Sequence, residues 1–202
     1  MKIRIVLFLI LLITSNFKSH GQYSIGLLEE KFTDGCVIEF KSLLKQFDNH
    51  VVKKTNISNL ELAYTSFMNK LKDAENAEEY LSILSLNDMN LDSIVKSLII
   101  SRCFSEIWVF EYGIDYKTKD TLSAMININT NSNYFSLLRS MSESDKKMEE
   151  YFRCFQESGG ISPGMIANYT NLASSFNFGK VEYRLVFAIH LLTIGYRIEY
   201  QN

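Results

Sequence analysis

Residues 181–200 read VEYRLVFAIHLLTIGYRIEY. Between Leu185 and Tyr196 the stretch carries no charged residue, and only His190 and Thr193 interrupt the apolar run. Wound at 3.6 residues per turn, its large side chains point in every direction, the pattern of a helix covered by protein on all sides. The uncharged part is about 12 residues, roughly 18 Å of helix, whereas a bilayer core of about 30 Å needs about 20 residues. A central helix of a folded domain is therefore expected, not a membrane span. Val181, Tyr183, Leu185, Phe187 and Ile189 also alternate as a strand would, but Val186 and Ala188 between them are apolar too, and the length favours a helix.

A second strongly apolar stretch runs from Leu91 to Tyr112 and includes Ile94, Val95, Leu98, Ile99, Ile100, Cys103, Phe104, Ile107, Trp108 and Phe110. On a helical wheel these also spread all round, which predicts a second buried helix lying against the first. Ala188 and Gly195, seven residues apart on the C-terminal helix, leave room for a close backbone neighbour.

Shorter amphipathic helices are expected around this pair. Cys36, Val37, Phe40, Leu43, Leu44, Phe47 and Val51 recur at spacings of three and four, one face of a helix, with Tyr23–Phe32 as a short helix before it. Ser58 and Glu61 have the spacing of a capping box, opening a helix with Leu60, Tyr64, Phe67, Met68 and Leu71 inside. Asn76 and Glu79 repeat that opening ahead of Tyr80, Leu81 and Leu84. Thr121–Met125 and Tyr134–Met141 read as short helices on either side of an Asn-rich loop, Asn127–Asn133. Ser144 is placed as the cap of a helix whose inner face is Met148, Tyr151, Phe152 and Phe155, stopped by Gly159-Gly160. Ser162-Pro163 starts another through Ile166, Tyr169 and Ala173, and Asn177–Gly179 turns into the last. With one proline in the chain and no Pro/Ser-rich linker or repeat, the prediction is an all-α, single-domain, irregular bundle of about seven to eight helices, with buried central helices at 91–112 and 181–200.

Residues 1–21 read as a secretory signal: Lys2 and Arg4, the apolar Ile5–Ile13, then Ser19-His20-Gly21. The expected organisation is a signal peptide over 1–21 and one helical domain over 22–202, exported to the periplasm or outside the cell. Removing 1–21 takes Lys2, Arg4 and Lys18 and no acid, leaving 18 basic against 23 acidic residues. This mildly acidic balance has none of the clustered basic footprint that nucleic acid requires. Cys36, Cys103 and Cys154 each fall in an apolar helical pattern and are read as small buried side chains, although export permits one disulfide.

Reactive chemistry is sparsely supplied. The mature chain has only His50 and His190, not spaced to share a helix face, and no Cys pair joins them, so neither a metal site nor a cofactor is predicted. No nucleophile elbow, phosphate loop or calcium loop occurs. Ser158–Gly164 is glycine-rich before a helix start, but it contains no Lys or Arg and reads as a stop followed by a cap.

Two features qualify as candidate binding residues. Phe104, Trp108 and Tyr112 recur every four residues, with Tyr116 just beyond, and a row of rings can floor a site for an apolar ligand or a sugar. His190 sits mid-helix in the most buried stretch, with Glu182 and Arg184 about two turns before it and Arg197 about two turns after. For both, packing in the core is the plainer reading. The function expected is non-catalytic binding of a protein partner or a small ligand. The alternatives are a helical-bundle enzyme using His190 with carboxylates from separate helices, and an assembly protein that oligomerises through an apolar face.

Overall fold

The computed structural model describes residues 26–84, 96–114, 117–118, 121–161 and 163–199. Its elements, in order, are α1 (Gly26–Lys31), α2 (Asp34–Thr55), α3 (Leu60–Asp73), α4 (Ala77–Leu84), a 3-10 turn (Phe104–Glu106), β1 (Trp108–Ile114), β2 (Thr121–Ile128), α5 (Asn133–Ser144), α6 (Lys146–Ser158), α7 (Pro163–Ala173) and α8 (Val181–Glu199). The chain is an all-α helical domain that carries one small two-stranded sheet. The signal segment 1–21, Tyr116, Ser162 and Tyr200 lie outside the described residues.

The C-terminal stretch is the central rod that its all-round apolarity requires. Every residue from Tyr183 to Gly195 on α8 is buried, Ala188 and Gly195 included. Around it α2 buries Cys36, Val37, Phe40, Leu43, Leu44, Phe47 and Val51, the face expected from their spacing. α3 likewise buries Tyr64, Phe67, Met68 and Leu71, and α6 buries Met148, Tyr151, Phe152 and Phe155. Phe187 of α8 meets Phe47, Tyr64, Phe67 and Phe178 within about 5 to 6 Å, mostly edge to face, the geometry that ring quadrupoles favour. Among the described residues no helix is long and apolar enough to cross a membrane.

Several helix ends differ from expectation by one residue. The cap of α3 is Asn59, whose Oδ1 accepts the Leu62 N–H at 3.1 Å, not Ser58. The cap of α6 is Asp145, accepting from Lys147 N–H at 2.8 Å, because Ser144 still belongs to α5. Asn and Asp reach the same backbone donors with a carbonyl-type oxygen, so adjacent polar residues compete for the role. At the opening of α4 Asn76 Oδ1 accepts from Glu79 N–H as read, whereas Glu79 Oε2 reaches back one residue further than a capping box requires and accepts from Glu75 N–H.

The larger correction falls on 91–112. Of this expected central helix, residues 91–95 lie outside the described part, 96–99 form a short helical turn, and Ile100 is exposed. Trp108–Ile114 is a strand paired antiparallel with Thr121–Ile128, with Trp108 opposite Ile128, Phe110 opposite Ile126 and Tyr112 opposite Ala124. The β-branched and aromatic run Ile107-Trp108-Val109-Phe110 suits a pleated strand. Its partner TLSAMINI alternates polar and apolar residues with period two, which also replaces the short helix expected over Thr121–Met125.

The cysteines are corrected too. Cys36 of α2 and Cys103 form a disulfide, and Cys154 remains a free thiol. The bond fastens the segment ahead of the hairpin to α2, where Ser101 Oγ also donates to Glu39 at 2.8 Å.

A two-stranded hairpin alone is marginal in water, and this one is clamped at two points. Trp108 Nε1–H donates to Thr193 Oγ1 of α8 at 2.8 Å, and Thr193 donates in turn to Ile189 O. On β2, buried Asn127 accepts the Ile161 N–H through Oδ1 and donates from Nδ2 to Glu111 at 2.9 Å.

Candidate functional site

Of the aromatic row Phe104, Trp108, Tyr112 and Tyr116, the structure puts Trp108 and Tyr112 on strand β1 and Phe104 in the turn before it. Alternate residues of a strand share a face, so Trp108, Phe110 and Tyr112 line one side of β1. Phe104, in the turn before it, stacks on Phe110 with ring centroids 4.9 Å apart and lies 5.9 Å from Trp108. Exposure rises along this face, from 2% at Trp108 to 39% at Phe110 and 64% at Tyr112. Trp108 is thus an anchor in the core, and Phe110 and Tyr112 carry the row into solvent. Val109 is exposed on the strand's other side, and Ile100, just before the turn, is 87% exposed. Phe110 and Ile100 escaped the site reading because both were assigned to the interior of a helix.

His190 stands apart from that row. It is fully buried in the middle of α8, with its ring lying flat on Tyr169, centroids 3.4 Å apart and planes 8° from parallel. Its Nδ1 shares a hydrogen bond with the Tyr151 hydroxyl at 3.1 Å, and Nε2 has no partner. No carboxylate therefore bonds the imidazole, and burial alone drives its pKa well below the usual value, keeping the ring neutral. The catalytic alternative required carboxylates at this point. Arg184, one of the charged neighbours expected for His190, pairs instead with Asp48 of α2 at 3.2 Å and donates to Phe178 O. The Tyr64 hydroxyl also donates to Asp48, at 2.7 Å.

Tyr151 and Tyr169, the two phenols in contact with the imidazole, are themselves buried. The Tyr169 and Tyr80 hydroxyls are buried without a hydrogen-bond partner. Burial first, and then the Tyr151 hydroxyl beside it, holds the Tyr134 pKa well up, and a hydrogen bond from Tyr134 offsets part of the rise that burial gives Tyr151. A buried polar atom left unpaired costs about 1–3 kcal/mol, and interiors hold few of them. The sequence put Tyr151 on the inner face of its helix and Tyr169 along another, and nothing local marks that α6 and α7 bring their rings within 5.9 Å.

The glycine-rich stretch does what a helix stop does. Gly159 takes a left-handed φ of 67°, Gly160 N–H returns to Phe155 O, and Ile161 N–H is taken by Asn127. Among the described residues no group of three or more His, Cys, Asp or Glu is placed to hold a metal ion. No protein-family model, curated protein or solved structure matches the chain.

Proposed function

We propose that the chain is an exported, non-catalytic helical protein that binds a protein partner through the aromatic face of its β-hairpin. The observation that carries this reading is the graded row from buried Trp108 through half-exposed Phe110 to exposed Tyr112. Aromatic anchors of this kind concentrate binding energy at interfaces. A protein partner fits better than a small ligand because β1 is paired on one side only among the described residues. Its other edge offers backbone donors and acceptors for an added strand. Natural edge strands are usually blunted by lysine or proline, and Trp108–Ile114 has neither, its one charge being Glu111. The Cys36–Cys103 bond supports export, since disulfides persist in oxidising compartments.

A photo-crosslinking amino acid placed at 112, and as a control at 62, tests the reading in the producing cell. Leu62 is 60% exposed and far from the hairpin in sequence. A discrete adduct at 112 and none at 62 is expected. Adducts at both positions, or at neither, would remove the hairpin as the contact surface.

A further inference from the structure

The phase of the hairpin ladder fixes which main-chain groups of β1 face outward. Opposite residues of an antiparallel pair alternate between those that exchange both backbone bonds and those that exchange none. Asn129 N–H donates to Ile107 O at 2.8 Å, one step before Trp108 meets Ile128 in the same register. Val109 with Asn127, and Glu111 with Met125, are therefore the bonded pairs. Ile128 N–H agrees, since it turns from β1 and is taken by Asn127 Oδ1 at 2.9 Å. The N–H and C=O groups of Trp108, Phe110 and Tyr112 consequently point to the edge away from β2. Among the described residues none of these three makes a main-chain bond outside the ladder.

We propose that the partner joins the hairpin as a further β-strand: an extended segment with apolar side chains at alternate positions and a basic residue between them. The residues that offer free backbone groups are the same ones that offer rings. One extended segment takes both, its main-chain bonds supplying affinity and its side chains choice. The alternation follows from the pleat, because every second side chain of an added strand lies beside Phe110 and Tyr112. The basic residue follows from Glu111, which is exposed on the other face of β1. Glu111 takes one hydrogen bond, from Asn127 Nδ2, and no ion pair among the described residues. Opposite charges set across two strands stabilise the pair, and like charges destabilise it. A second copy of the chain is the poorer occupant for that reason. Two Trp108–Ile114 strands overlapped antiparallel along their full length set Glu111 against Glu111. Strand addition of this kind presupposes the hairpin as the binding surface and adds the manner of binding and the chemistry of the partner.

The test titrates the mature chain, disulfide intact, with a short peptide that alternates valine and threonine about a central lysine, following backbone amides by NMR. Saturable binding is expected, with hydrogen exchange at Phe110 and Tyr112 N–H slowed about ten-fold or more and that at Val109 and Glu111, already bonded to β2, changed little. The same peptide with a central glutamate should bind roughly five-fold more weakly, the order of one cross-strand charge pair, and Glu111→Gln should remove that difference. Binding that shifts the Tyr112 ring signals without slowing exchange at 110 and 112 would keep the hairpin as the surface and overturn strand addition. Equal binding of a peptide with the same composition and its valines in one block overturns it as well. So does saturation by none of the peptides, and the adduct at position 112 then decides separately whether the hairpin reading stands. A dimer by light scattering, with the 110 and 112 amides already protected, would make the occupant a second copy and overturn the proposal.

Discussion

Gly160 is the residue at which the join between the hairpin and the helices is most exposed to mutation. Its φ is +143°, and a Cβ built on it would stand 2.6 Å from Asn127 Nδ2, the side chain that holds β2 to the α6–α7 connection. Gly159 also has a positive φ, but a Cβ there meets nothing within 4 Å. Gly159→Ala should cost roughly 1–2 kcal/mol, the price of a left-handed L-residue, and Gly160→Ala clearly more, as read from urea denaturation midpoints. Asp145 makes a second prediction at this scale. The Tyr183 hydroxyl, bonded at 2.6 Å, is the main cause holding its pKa below the ordinary aspartate value. A carboxylate with a lowered folded pKa contributes stability that is present above its unfolded pKa and lost as pH falls through the folded one. Tyr183→Phe should therefore lower the Tm at pH 7 and leave it nearly unchanged at the acid end of the titration. Helix-stop glycines can be recognised from their place after an apolar pattern. That Asn127 reaches across 34 residues to Ile161 cannot, because the pairing is decided by packing.

The hairpin shows what an apolar run conceals. Both α8 and 91–112 are rich in large apolar residues at every angle, and length and periodicity alone do not separate a buried helix from a strand. In α8 the uninterrupted run settles the matter. In 91–112 the run is broken at Ser101-Arg102 and ends at Gly113, and the segment finds a strand partner in Thr121–Ile128, whose period-two pattern is interrupted by apolar Met125. The ring row survived the wrong element because a spacing of four is even, so Trp108 and Tyr112 share a face on helix and strand alike. Phe110, two residues along, shares it only on a strand. The clamp at Thr193 gives a prediction for the element. Thr193→Val keeps the shape and removes the acceptor of Trp108 Nε1–H, leaving a buried donor unpaired at a cost of about 1–3 kcal/mol. Amide exchange in 108–112 should accelerate while that in α2 changes only with global stability. Equal acceleration throughout would mean that the hairpin has no separate hold on α8.

At the scale of the whole molecule the disulfide closes a long loop, Cys36 and Cys103 being 67 residues apart. Chain-entropy reasoning puts its contribution near 4 kcal/mol, so the Cys36→Ala/Cys103→Ala pair should lower the denaturation midpoint by that order. The denatured, unreduced chain should titrate one thiol, Cys154, and the reduced chain three. Neither the pairing nor the tyrosines around His190 could be read from spacing, since each joins segments brought together only by the core. The functional account rests on the outward face of Phe110 and Tyr112, two residues whose loss touches little of that core. Its most direct test is competition for the adduct trapped at position 112. Excess unlabelled protein should abolish the adduct, and an equally stable Phe110→Ser/Tyr112→Ser chain should leave it intact. Equal competition by the two proteins would contradict the assignment of this face as the binding surface.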